Sequence, residues 1–429
     1  MNHRVVLVLA CFVATDLARS QDLMDIEEEP PAAPPIVELI DSVTPDGGAR
    51  QSLAKSLASV GSSAVPVLFA ALGPASPLRD DVRCEVEQAL KLIGPAVVHG
   101  HVLSRIADEP DLEIRMRSLR VVGVVGGRGA WSVVQKILTD VHEHTLRSAT
   151  VSGSIRIAVA RAVASDPDAP AAISRCWSDL HDSWRPSILR ALSEAGTGRA
   201  TALLVRLADC DEQHRAAALA ALAKVPLLAI NRLDPMSWRR LRNRLESEDA
   251  NVRRLAAAIV ARGHDVDAFH ELVVLLEDED MLVRRGALQA LRKMTGFRAS
   301  ADVVRWRWWY EQERGWRYDD IDDSVGLLES EDPRMVSGAL GSLAQHRLFR
   351  AAFLADVHDV LGHKDAAVRE IACRSLAALG SPASAGALLL LMDDPDERVR
   401  GAAHAALRAV TGLRHGPDRT VWRSALRTR

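Results

Sequence analysis

Asp394-Pro395-Asp396-Glu397-Arg398-Val399-Arg400-Gly401-Ala402-Ala403-His404-Ala405-Ala406-Leu407-Arg408-Ala409-Val410-Thr411-Gly412 decides how this chain folds. The acidic turn at its head places a carboxylate where the first N–H groups of a helix need an acceptor. Val399, Ala403, Ala406, Leu407 and Val410 then recur at i, i+4, i+7, i+8 and i+11, which is one face of a 3.6-residue helix. Thr411-Gly412 supplies the stop. Upstream, Ala383 to Met392 carries a second apolar face, so the stretch reads as a hairpin of two amphipathic helices. Neither helix can bury its face alone, and stacked neighbours solve the problem.

The unit recurs. Asp249-Ala-Asn-Val252-Arg253, Asp280-Met-Leu-Val283-Arg284 and Asp365-Ala-Ala-Val368-Arg369 repeat the signature of Asp396 to Arg400, with both Arg253–Arg284 and Arg369–Arg400 spaced by 31 residues. Weaker copies place Arg at 83 and 115, fainter ones at 50, 156, 185 and 215, and Ser337 takes the Arg place after Asp332-Pro333. A period in the thirties marks an array of helix pairs. Asp278–Arg307 also aligns with Asp394–Arg423 at a constant offset of 116, with 14 of 30 positions identical. Val283/Val399, Leu291/Leu407, Thr295/Thr411, Gly296/Gly412, Asp302/Asp418 and Trp306/Trp422 are among them. These residues predict an all-α, right-handed α-solenoid of about ten helix-hairpin repeats over residues 46–429.

The pattern resembles the HEAT-repeat superfamily, specifically its short phycobilisome-lyase-like repeats, over about residues 45–429 and most specifically in the C-terminal half. In that family the Asp and Arg of successive repeats form a hydrogen-bonded ladder. The resemblance therefore implies structural roles for Arg253, Arg284, Arg369 and Arg400 and for Asp249, Asp280, Asp365 and Asp396. The ladder is degenerate at Ser337 and across 141–215. The Trp-bearing extension after Thr-Gly is similar to the longer terminal repeats of exported bacterial HEAT proteins. The superfamily includes a di-iron enzyme, deoxyhypusine hydroxylase, with His-Glu pairs just after the Val/Ile-Arg. Here those places hold Arg254-Leu255, Arg285-Gly286, Glu370-Ile371 and Gly401-Ala402, so the resemblance does not extend to its metal ligands.

Composition agrees with a folded, helical chain. Of 429 residues, 48% are hydrophobic, 26% charged and only 4% aromatic, with Ala/Leu runs such as 216–223 in place of β-branched ones. The net charge of −3 disfavours a nucleic-acid binder that works through overall charge. Residues 1–20 are expected to be a cleaved secretory signal: Arg4, an apolar stretch Val5–Ala14 interrupted only by Cys11, then Ala18-Arg19-Ser20 before Gln21. Residues 21–45 are expected to be an acidic, Pro-rich linker, since Gln21 to Ala49 holds no Lys or Arg. No apolar stretch reaches the roughly 18 residues of a membrane span. After the signal, Cys84, Cys176, Cys210 and Cys373 remain, without CxxC or zinc spacing, and each is expected to be a small buried apolar residue.

Two groups of residues are candidates for recognition. Arg305-Trp306-Arg307-Trp308-Trp309-Tyr310, continuing to Trp316-Arg317-Tyr318, interleaves aromatics with arginine, as surfaces that stack bases or sugar rings do. Because Trp306 recurs as Trp422, a packing wedge is the simpler account, with Trp308 and Trp316 as the candidate contacts of a ligand-stacking alternative. Arg254, Arg285, Arg292, Arg374 and Arg408 are expected to point away from the core, where they form a basic stripe for an acidic partner or remain solvated. His99/His101, His142/His144 and the group His264, Asp265, Asp267, His270 and Glu271 lack a convincing metal-ligand spacing. No phosphate loop and no GxSxG elbow is present.

The expectation is a non-catalytic, exported scaffold without cofactor or metal, presenting a concave helical surface to an extended acidic protein or anionic polymer. The alternatives are a metal- or nucleotide-dependent enzyme or enzyme accessory with a site within 141–215, and a nucleic-acid or anionic-polymer binder acting through the Trp/Arg segment.

Overall fold

The Asp-x-x-Val-Arg signature marks one point in every clear repeat, the N-terminus of the second helix. In the computed structural model, which describes residues 54–72, 80–106, 112–139 and 149–427, Asp249, Asp280, Asp365 and Asp396 are N-caps. Their carboxylates accept from backbone N–H groups at 2.7–2.8 Å, two residues on. At the far ends Gly296, Gly380 and Gly412 are left-handed, with φ of 77°, 66° and 72°. The 1–20 signal, the 21–45 linker, Arg50 and the His142/His144 pair lie outside the described residues. Among the described residues the regular structure is helical.

The chain divides into two units, one ending at Ala195 and one beginning at Gly196. The first contains α1 (Val65–Ala71), α2 (Asp80–Ile93), α3 (Pro95–Ile106), α4 (Leu112–Val125), α5 (Ala130–Thr139), α6 (Ala149–Ser165), α7 (Ala169–Cys176) and α8 (Arg185–Ala195). The second helices stack in a row, α2 on α4, α4 on α6 and α6 on α8. The first helices form the other layer, α3 on α5 and α5 on α7. This is the two-layer stacking of an α-solenoid. The region 141–215, where the sequence pattern degenerates, continues from 149 in the same hairpin rhythm.

The second unit contains α9 (Gly198–Cys210), α10 (Arg215–Leu222), α11 (Leu227–Ile230), α12 (Pro235–Asn243), α13 (Ala250–Gly263), α14 (Phe269–Val274), α15 (Met281–Thr295), α16 (Val303–Asp319), α17 (Ile321–Gly326), α18 (Pro333–Leu343), α19 (Leu354–Asp359), α20 (Ala366–Leu379), α21 (Ala385–Leu390), α22 (Glu397–Thr411) and α23 (Arg419–Arg427). Here the irregular intervals acquire causes. The long step from Arg215 to Arg253 contains the extra short helix α11, and the longest, Arg284 to Ser337, contains the 17-residue helix α16.

The offset of 116 is a structural duplication. In each copy two second helices pack together, α13 on α15 and α20 on α22, and a Trp-bearing helix closes the first-helix layer, α16 on α14 and α23 on α21. Trp306 and Trp422 are fully buried. Their indole N–H groups donate to the carbonyls of Ser300 and Gly416, at 2.9 and 2.8 Å. The face read from Val399, Ala403, Ala406, Leu407 and Val410 is fully buried, and Ala403, Ala406, Leu407 and Val410 share one core with Trp422, Leu376, Leu343 and Phe353.

Cys176 and Cys373 are buried, and burial pushes the Cys373 thiol up to about 12. Cys84 and Cys210, expected inside, are exposed instead. Cys84 sits two residues from the buried Val82 and Val86 on α2, so the helical turn carries it to the outer face. Cys210 is the last residue of α9.

Candidate partner-binding surfaces

The ladder arginines are spent on structure. Arg253 donates through Nε and Nη2 to both carboxylate oxygens of Asp278, at 2.7 and 2.8 Å, and Arg369 does the same to Asp394, at 2.8 and 2.9 Å. Each Nη1 also donates to the carbonyls of its own turn, Ser247 and Glu248 or His363 and Lys364. The guanidinium holds Asp278 and Asp394 below the ordinary carboxylate range. The resemblance assigned the structural aspartates as Asp249, Asp280, Asp365 and Asp396. The structure divides that work: those four cap helices, while Asp278 and Asp394, two residues ahead of a cap, form the rungs. Arg284 and Arg400 donate to turn carbonyls within their own repeats.

The five candidate arginines lie on second helices in varied surroundings. Arg285 and Arg408 are exposed. Arg254 donates to the Asn251 side chain at 2.7 Å, and its aliphatic stem passes over Gly286 of the next second helix, where any Cβ would touch it. Arg254 therefore lies alongside the neighbour of Arg285. Arg292 is held by the carbonyl of Ala299, at 3.0 and 2.6 Å. Arg374 pairs with Glu370 one turn back. The structure thus brings Arg254 to the turn of α15 that carries Arg285, and ties Arg292 and Arg374 to local partners.

The Trp/Arg segment forms α16, capped by Asp302. Its inner face is a packing wedge. Trp306 meets Phe269 and Phe297 edge-on, Trp309 stacks on Phe297 with centroids 5.4 Å apart, and Tyr310 stacks on Phe269 at 4.6 Å. Trp316 stacks flat on His346 at 3.5 Å and meets Phe353 edge-on. His346 Nδ1 in turn lies 3.2 Å from both oxygens of the buried Glu313. Trp308 points the other way and is 60% exposed. The two candidate tryptophans are therefore in different environments. Sequence reading missed Val304 and placed Tyr318 only within the segment at large; both are exposed on the side of α16 that carries Trp308. Their i, i+4, i+14 spacing is the signal that could have found them.

A second feature missed from sequence is a basic turn after α18. Arg347 lies against the left-handed glycines Gly296 and Gly380 that end α15 and α20, and Arg350 donates to the carbonyl of Leu379 at 2.7 Å. The Leu348 carbonyl lies 3.0 Å from His264 Nε2. One turn thus joins the C-terminal ends of α13, α15 and α20, where cations are favoured. Burial, together with Arg350 and Arg347, pushes His264 down to about 3, and burial pushes Arg350 down to about 10. Asp265 is taken by Arg242 at 2.8 and 2.9 Å, and His270 meets Phe269 and Tyr310 edge-on. Among the described residues no group of three or more His, Cys, Asp or Glu side chains is placed to hold a metal ion, and no helix is long and apolar enough to cross a membrane.

Stacked helical hairpins in two layers define an α-helical repeat protein of the solenoid class. Residues 239–314 and 324–408 match the family model of HEAT repeats. No curated protein sequence matches the chain. Among solved structures, an engineered protein is 20% identical with a TM-score of 0.26, covering 87% of this chain and 98% of its own. A designed armadillo repeat protein in complex with the peptide (KR)4 is 18% identical with a TM-score of 0.26, covering 56% and 98%. A mutant of Kap121p is 13% identical with a TM-score of 0.33, covering 94% of this chain and 44% of its own, so this chain spans less than half of that protein's length.

Proposed function

We propose that this chain is an exported, non-catalytic scaffold that holds an extended acidic polypeptide along its second helices. The observation that carries the reading is the approach of Arg254 to α15 over Gly286, which sets it beside the turn that bears the exposed Arg285. Among the described residues neither arginine has a carboxylate partner in an ion pair. A repeat array offers such a row of side chains at regular spacing, and an extended partner matches it one repeat at a time. Arg408 on the duplicated helix α22 continues the basic character in the second copy. Export follows from the reading of residues 1–20, with cleavage near Ser20.

The test is titration of the full chain with poly-L-glutamate at low and high salt. Binding is expected to weaken as salt screens the charges, and to fall at least about tenfold when Arg254→Glu and Arg285→Glu are combined. Binding that ignores both changes would overturn the reading. A single-stranded oligonucleotide that binds more tightly than polyglutamate would transfer the surface to nucleic acid.

A further inference from the structure

The outer face of α16 is not needed by the fold. In the duplicated helix α23 Trp422 is buried and hydrogen-bonded as Trp306 is in α16, yet the positions matching Val304 and Trp308 hold Thr420 and Ser424. In α16 the same positions are apolar and open: Val304 is 77% exposed, Trp308 60% and Tyr318 76%. By helical spacing these three lie within one stripe, with Gly315 leaving a flat gap between Trp308 and Tyr318. A Cβ at Gly315 would meet nothing nearer than the Asp319 carboxylate. An exposed Trp308, on a face whose duplicate holds Ser424 in its place, marks an interaction surface.

Charge says what covers it. Arg307 flanks the stripe on one side and Arg305 on the other, both exposed, and among the described residues neither is in an ion pair. Arg305 rests over the Phe297 ring. Two carboxylates stand on this side of the helix: Glu311, paired with Arg314 at 2.8 Å, and Asp319, beside Gly315 at the end away from Arg305 and Arg307. The stripe from Val304 to Tyr318 is about 21 Å long, and Trp308 and Tyr318 stand about 15 Å apart along the helix. That separation is too wide for stacking successive bases. It suits a second helix with a short apolar ridge. A helix of this length buries well below the roughly 800 Å² per partner of a stable interface between folded proteins, which disfavours a second copy of this chain held by this stripe alone.

We infer that Val304, Trp308 and Tyr318 form a docking stripe for an amphipathic helical segment of a partner protein, its apolar ridge bordered by carboxylates that meet Arg305 and Arg307. This rests on the scaffold reading in taking the partner to be a polypeptide, and places contact on a surface separate from Arg254 and Arg285.

The experiment uses the full chain and a fluorescein-labelled helical peptide of about 18 residues, with Leu at i, i+4, i+7 and i+11 and Glu on both flanks, followed by anisotropy. Two control peptides replace Glu by Lys or Leu by Ser. The Glu/Leu peptide is expected to bind, and both controls at least about tenfold more weakly. Trp308→Ser and Arg307→Glu are each expected to reduce its binding at least about tenfold with the melting temperature unchanged, while the Arg254→Glu, Arg285→Glu pair leaves it intact. No saturable binding, equal binding of the Lys peptide, or binding indifferent to Trp308→Ser and to Tyr318→Ser would overturn the inference. Peptide binding that survives while polyglutamate binding fails would remove the arginine face alone. The reverse would remove the stripe alone.

Discussion

The guanidinium of Arg253 closes on both carboxylate oxygens of Asp278, 25 residues further on, and Arg369 closes on Asp394 across the same interval. Each pair ties a second helix to the turn that begins the next, so the bond sets how successive hairpins stack. Both partners of the first pair are buried, with side-chain exposures of 9% and 6%. Removing one partner of such a pair strands a charge. Asp278→Ala or Arg253→Ala is expected to lower the stability of the surrounding repeats by about 3–5 kcal/mol, whereas replacing both residues by Met and Leu is expected to cost less than either. No charge is then stranded, and only the turn groups that Arg253 and Asp278 also bond lose a partner. Urea unfolding of the single and double variants checks this, and equal losses in all three would show that the cost is lost packing.

The same pair predicts acid sensitivity. Asp278 and Asp394 have folded pKa values below the unfolded value of about 3.9. Their contribution is therefore complete above pH 4 and is lost as pH falls through the folded values. Asp278→Asn is expected to be less stable at neutral pH, with a flatter decline of stability below pH 4. Melting temperatures recorded between about pH 2 and pH 7 would show this as convergence of the two curves at the acid end.

His264 predicts a second, separate window. It is the one non-glycine residue with positive φ among those described, at 58°, and it stands where the duplicate has Gly380. Its Nε2–H donates to the Leu348 carbonyl, and Arg347, Arg350 and burial keep it neutral down to about pH 3. The unfolded chain takes up a proton near pH 6.5 that the folded chain refuses. Stability is thus fully present above 6.5 and falls by about 1.4 kcal/mol per pH unit on the way down toward 3. His264→Gly removes the left-handed strain, of about 1 kcal/mol, and forfeits a hydrogen bond of similar worth. The variant is expected to match the parent at pH 7.5 and exceed it at pH 5. Parallel curves across that range would refute the assignment.

Gly263, one residue earlier, is fixed by space. A methyl group there would overlap the far edge of the Trp238 indole. Gly263→Ala is expected to destabilise by about 1–3 kcal/mol, and Trp238→Leu in the same chain to recover much of it. A thermodynamic cycle of the four proteins gives the coupling, and additive losses would mean that the ring swings clear.

The helices of this chain are legible because their periodicity is strong. The apolar face of α22, its Asp396 cap and its Gly412 stop can each be read from local sequence. The rungs cannot. Asp278 and Asp280 are the same residue two places apart, and only the fold shows that one faces the preceding repeat while the other caps its own helix. A faint trace exists in retrospect, since the rung position holds Asp in the second repeat of each copy and Ser247 or His363 in the first. The basic turn around Arg347 and Arg350 leaves no periodic trace, because its partners are carbonyls at the ends of three helices distant in sequence. Residues 305–310 give an ambiguous signal because residues two apart on a helix, such as Trp306 and Trp308, face nearly opposite ways.

That division of labour within one helix is itself testable. Trp306 is fully buried and bonded to the Ser300 carbonyl, while Trp308, two residues on, is mostly in water. Trp306→Ala is expected to cost about 3–5 kcal/mol, and Trp306→Phe less, since the ring remains but the Ser300 carbonyl loses its donor. Trp308→Ser is expected to stay within about 0.5 kcal/mol of the parent, as for other surface changes. Acrylamide quenching separates the two independently of stability. Trp308→Ser should remove a large share of the quenchable emission, and Trp306→Phe should leave that share in place. If Trp308→Ser proved as costly as Trp306→Ala, the stripe would be part of the wedge and free for no partner.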